Sequence, residues 1–115
     1  MLEKELEMPK ELYDMCNEEY ETKWTNGRVK IKRFLAKELG AIQNASVKVK
    51  SSNGLTPSAD INPVELRFQS VLKGVVEAPW GVNNIDAIYN LPPQVLDWVF
   101  TELDEFNTVS YKKKD

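Results

Sequence analysis

The sequence contains no histidine and a single cysteine, Cys16. Without histidine, zinc sites of the usual Cys/His kind, Ser-His-Asp triads and histidine general bases are excluded. One cysteine forms no intramolecular disulfide, so stability has to come from packing, which fits a reducing compartment. The glycines Gly27, Gly40, Gly54, Gly74 and Gly81 are scattered and build no phosphate-cradling loop. Composition leaves carboxylate metal sites open, but no calcium-loop or paired-acid spacing appears. Catalysis would rest on Asp, Glu, Lys or Tyr, and no constellation of them stands out. The reading is a non-enzyme with no metal and no cofactor. No apolar run approaches the roughly 20 residues of a membrane span. Residues 1–7 are charged and no apolar segment follows, so no signal peptide is read. The expectation is a cytoplasmic protein with no membrane partner.

What is present fits one globular domain spanning residues 1–115, with residues 1–8 and 108–115 flexible. A chain of this size buries only about 60–70% of its unfolded surface. Charge is segregated. Residues 1–24 carry three Lys against eight Asp or Glu, and residues 25–50 carry seven Lys or Arg against Glu38 alone. Residues 51–107 carry Arg67 and Lys73 against eight acids, within a formal net charge of -3. An acidic–basic–acidic order predicts internal or intersubunit complementarity more than a nucleic-acid surface, which would be net basic.

The spacing of apolar residues predicts an α+β, mostly α fold with four to five helices and one small β-hairpin. Pro9 opens a helix over residues 9–21, with Leu12, Cys16 and Tyr20 on one face and acids on the other. Leu2 and Leu6 lie beyond Pro9, in a frayed arm. Asn26-Gly27 is a strong hairpin signal, because a tight turn there needs positive φ. It predicts pairing of Thr22 and Trp24 with residues 28–33, where Val29 and Ile31 alternate with Lys30 and Lys32. A helix over 34–45 follows, with Leu35, Leu39, Ile42 and Ser46 in one stripe. Val47 and Val49 read either as its frayed end or as a short third strand. Residues 51–59 form a loop by composition. Asn62, Pro63 and Glu65 mark the start of a helix over 62–78. Pro79-Trp80-Gly81 makes a turn, Asn83 or Asn84 caps a short helix over 85–89, and Pro92-Pro93 opens a last helix over 93–106. Val95, Val99, Leu103 and Phe106 form one of its stripes, while Leu96, Trp98 and Phe100 lie off it.

Several features have a plain and a functional reading. Cys16 reads as a small core residue rather than a reactive thiol. Arg28 to Arg33, with Trp24 nearby, reads as the wet face of a strand before it reads as a phosphate contact. Lys112-Lys113-Lys114 reads as a solubilising tail. Trp80 reads as a lid on the core or as an anchor for a partner. The last helix is core or subunit interface. Its surplus of large apolar residues, with Trp80 at the bend, exceeds what one small core needs. A monomer that buried all of them would remove that argument.

The run Ile85-Asp86-Ala87-Ile88-Tyr89-Asn90-Leu91-Pro92-Pro93-Gln94-Val95-Leu96 leads into an apolar helix ending in Leu103-Asp104-Glu105-Phe106-Asn107. Upstream, Val29-Lys30-Ile31-Lys32-Arg33-Phe34 runs into a helix with Lys37-Glu38-Leu39. Over residues 28–107 this order resembles small tail assembly chaperones of tailed phages and prophages. The acidic first helix and the Trp24 hairpin depart from that pattern. The resemblance implies a non-enzymatic protein of the host cytoplasm that holds a tape-measure protein soluble and helps tail-tube subunits assemble, with homo-oligomerisation multiplying weak contacts. The partner-binding residues it points to are Trp80, Trp98, Phe100 and Phe106. A structural tail or connector subunit is the alternative, and a nucleic-acid-binding accessory protein the third reading.

Overall fold

The computed structural model describes residues 2–50 and 58–108, with backbone alone for 47–50 and 58–61. The fold is α+β and mostly α. The described elements run β1 (Glu3–Glu7), α1 (Lys10–Glu19), β2 (Arg28–Lys32), α2 (Ala36–Ser46), β3 (Val47–Lys50), β4 (Ser58–Ile61), α3 (Pro63–Gly74), β5 (Val75–Glu77), α4 (Ile85–Tyr89) and α5 (Pro93–Asn107).

Helix starts follow local chemistry. The Asn62 Oδ1 accepts the amides of Val64 and Glu65 at 3.0 and 3.3 Å, and Pro63 at the first helical position needs no acceptor for the amide it lacks. Asn84, not Asn83, caps α4 through the amides of Asp86 and Ala87. Glu38 closes the first turn of α2 by accepting the Leu35 amide at 2.9 Å. That helix begins at Ala36, two residues later than periodicity suggests.

The sheet departs from expectation. Residues 1–8 are not a frayed arm: Glu3–Glu7 is a strand, antiparallel to β2. The hairpin across Asn26-Gly27 does not form, because β2 finds its partners in β1 and β5, in the order β1-β2-β5. Residues 22–24 are tied instead to α1. The Asn17 amide donates to the Trp24 carbonyl at 3.0 Å and accepts from the Thr22 hydroxyl at 2.6 Å and the Trp24 amide at 3.1 Å. Asn26 accepts the Arg28 amide at 3.0 Å in a local turn. Gly27 is required by proximity rather than by positive φ, since a Cβ there would lie 2.7 Å from the Met8 Cβ.

Two helix ends also change. The helix read over 62–78 stops at Gly74, and Val75–Glu77 turns into β5. Both first positions of β5 are β-branched, and pairing with β2 rewards the extended form. Val47–Lys50 is a strand rather than a frayed helix end, and Ser58 and Ala59, read as loop, belong to its antiparallel partner. Residues 51–57 and the tail 109–115 lie outside the described residues.

The two faces of the main sheet are chemically distinct. On the inner face, Leu6, Val29, Ile31 and Val75 are buried and join Val71, Val95, Val99 and Leu103 in one core. On the outer face, the register sets Glu3 opposite Lys32, Glu5 opposite Lys30 and Glu7 opposite Arg28, and Lys30 faces Glu77 across β5. Part of the segregated charge of the sequence is this ladder of acids and bases on adjacent strands.

Candidate functional site

The α2 stripe is only half used. Ile42 and Ser46 are buried, while Leu39 is 45% exposed and Leu35, one turn before it, is 58% exposed. Beside Leu39 a groove opens between α2, α3 and α5. It holds about 180 Å³ and is walled by Phe34, Leu39, Ile42, Leu66, Phe100 and Leu103, with Gln43 and Asp104 among its polar residues.

The groove floor is rigid for identifiable reasons. Gly74, at the end of α3, brings that helix against Leu103 and Phe34 where a Cβ would not fit. Asn107 fastens the end of α5. Its Oδ1 accepts the Phe34 amide at 2.7 Å, and its Nδ2 donates to the carbonyls of Leu103 at 2.9 Å and Lys32 at 3.2 Å. Arg67 pairs with Asp97, and its guanidinium lies 5.3 Å from the Phe100 ring centroid. Lys32 pairs with Glu38. The Leu35 amide and then Lys32 hold the Glu38 carboxyl below its ordinary range. Polar groups thus fix the groove walls and leave a lining that is mostly apolar.

The four residues expected to bind a partner do not form one surface. Trp80 packs on Trp24 with ring centroids 5.8 Å apart, tilted by 51°, and its indole N–H is buried without an acceptor among the described residues. Phe106 is covered by the Arg33 guanidinium at 4.7 Å and the Lys4 ammonium at 5.9 Å. Trp98 is half-buried against the core. Phe100 alone lines the groove. All four are half-buried and pack on the core, so much of the apolar surplus of α5 is spent within the monomer. The residues that sequence reading missed are Leu39, Phe34 and Leu66. Leu35 and Leu39 were visible as a stripe, but nothing local says that α3 covers only its second half.

Two other titratable groups are shifted by local surroundings. Cys16 is fully buried and burial raises its pKa, as expected of a core thiol. The Tyr89 hydroxyl donates to Glu65 at 3.0 Å, which raises its pKa, and its ring meets Phe68 edge-on at 4.7 Å. The bases Arg28, Lys30 and Lys32 stand opposite Glu7, Glu5 and Glu3 across the β1–β2 pair. Among the described residues no three His, Cys, Asp or Glu gather to hold a metal ion, and no helix is long and apolar enough to cross a membrane. Compared with known proteins, the chain matches no family model, no curated protein and no solved structure.

Proposed function

We propose that this chain is a non-enzymatic protein-binding assembly factor, acting as the small tail assembly chaperones it resembles do. It takes an apolar stripe of a helical partner, such as a tape-measure protein, into the groove between α2, α3 and α5. The observation that carries the reading is Leu39: nearly half exposed, on the wall of an apolar groove, with Leu35 exposed one turn away. A helix laid into such a groove inserts side chains at i, i+3 or i+4 spacing, and each large aliphatic group it buries contributes about 1.5–3 kcal/mol. Two or three such anchors hold a long helical protein soluble while leaving it exchangeable, as an assembly factor in the host cytoplasm requires. A structural tail or connector subunit is the second reading, favoured by the unpaired outer edge of β1.

The test is co-expression with a tape-measure protein from the same gene cluster. The chain should keep that protein in the soluble fraction, and Leu39→Asp should abolish this at a small cost in melting temperature, because nearly half of the side chain is already exposed. Solubilisation that survives Leu39→Asp with Leu35→Asp would overturn the groove reading. Presence of the chain in finished particles would favour the structural subunit instead.

A further inference from the structure

Among the described residues both sheets have open edges, and two of these edges match in chemistry. The first is the outer edge of β1. Its strand, Glu3-Lys4-Glu5-Leu6-Glu7, pairs only with β2 and leaves a row of backbone donors and acceptors open. The second is the β3–β4 hairpin. Its strands pair with each other, in the register Val47↔Ile61 to Lys50↔Ser58, and pack only slightly on every other element. A two-stranded hairpin standing alone is marginal in water. The molecule is correspondingly spread, 53 × 45 × 21 Å with a radius of gyration of 16.4 Å, against about 13 Å for a compact chain of this length.

We infer that β3 of one copy adds to the outer edge of β1 in a second copy. The sheet then runs β4-β3-β1-β2-β5, with its first two strands from the neighbour. Charge selects the occupant. A β1 strand against its own copy sets Glu opposite Glu, which is destabilising. The β4 edge presents Asp60, and β5 is three residues long and ends in Glu77. β2 is central and already paired on both sides. Among the strands with an open edge, only β3, Val-Lys-Val-Lys, alternates bases with β-branched residues. Antiparallel to β1, it sets Lys50 at Glu3, Val49 at Lys4, Lys48 at Glu5 and Val47 at Leu6 in one register. The acid–base ladder of β1 and β2 thereby gains a third basic strand on its acidic side. This arm-to-edge contact uses neither the groove nor its partner, so it stands or falls separately from the function proposed above.

Size-exclusion chromatography with light scattering on the full chain tests it. The wild type should assemble at about 0.1 M salt, where the Debye length is about 10 Å, and weaken at about 1 M, where it is about 3 Å. Lys48→Gln with Lys50→Gln should weaken assembly by about tenfold or more while leaving the thermal melt of the body unchanged. A chain with Lys4→Cys and Val49→Cys should form interchain disulfides on mild oxidation, whether or not the glutamine variant keeps its hairpin. A wild type that stays monomeric over a wide concentration range overturns the proposal. So does a glutamine variant that assembles as well as the wild type, or a disulfide that closes within one chain.

Discussion

Replacing Gly74 with alanine places a methyl group where α3, α5 and the β2–α2 connection meet. The added Cβ would lie 2.6 and 2.7 Å from the two Cδ atoms of Leu103 and 2.8 Å from the Phe34 Cζ. Real Cβ contacts lie beyond 3 Å, so something has to move. Leu103 is 1% exposed in the shared core, and the next residues of α5 are fastened by Asn107, so retreat is obstructed. Two effects oppose each other. Alanine in a helix is better than glycine by about 1 kcal/mol, and less at this final position. Overpacking a well-filled core costs about 1–3 kcal/mol. The clash should win, leaving the variant roughly 1–2 kcal/mol less stable and lowering Tm by several degrees in a domain of this length. Urea denaturation and calorimetry measure the loss. Leu103→Val removes both Cδ atoms, so the double variant should cost less than the sum of the single changes by at least about 0.5 kcal/mol. A Gly74→Ala protein as stable as wild type, or costs that simply add, would refute the close approach of the two helices.

Asn107→Ala removes an acceptor from the Phe34 amide and donors from two carbonyls; it should cost about 1–3 kcal/mol and accelerate hydrogen exchange at Phe34. Asn107→Asp keeps the acceptor but sets a carboxylate oxygen against the Leu103 and Lys32 carbonyls at a helix C-terminus, so it should cost at least as much at neutral pH. Glu38→Gln tests the capping carboxylate. Because the folded state holds this carboxyl below the ordinary value of 4.5, its contribution is present above that pH and is lost as pH falls through the lower folded value. The stability gap between wild type and Glu38→Gln should therefore be seen near neutrality and close below about pH 4 in parallel denaturation curves.

Helices were readable wherever the decisive chemistry is local. Asn62 with Pro63, Asn84, and Pro92 with Pro93 announce three starts within a few residues of themselves. The buried stripe Val95, Val99 and Leu103 follows directly from helical period. Strands were misread because their partners are remote in sequence. Nothing near Leu6 says that it will face Val29, and Pro9 made residues 1–8 look detached. Val75 and Val76 fit a helical stripe equally well until β2 is available to pair with them. Asn26-Gly27 misled for a different reason. The glycine makes room for Met8, a need that looks the same in sequence as a tight turn. The candidate site was legible only in part, through Phe100. Large side chains on α5, with Trp80 at the bend, suggested an exposed surface, yet Arg33 and Lys4 cover Phe106 and Trp24 packs on Trp80, whereas the smaller Leu39 is left open.

The pairing of β1 with β2 contains a hidden degeneracy. A slip of one residue would set Leu6 against a lysine or arginine and is forbidden by the two-residue period of the faces. A slip of two residues keeps every face. It would set Glu5 at Lys32 and Glu7 at Lys30, losing one of three charge pairs, and Leu6 would still meet an aliphatic residue, Ile31. Against that slip, burial is indifferent and charge favours the observed register by a single pair. The rest of the choice falls to Met8, buried and donating its amide to the Gly27 carbonyl at 2.7 Å, where the glycine alone leaves space. Moved by two, Met8 would stand opposite Val29 and lose its place against Gly27. The ladder governs how firmly the strands adhere, and Gly27 is the index mark that says where.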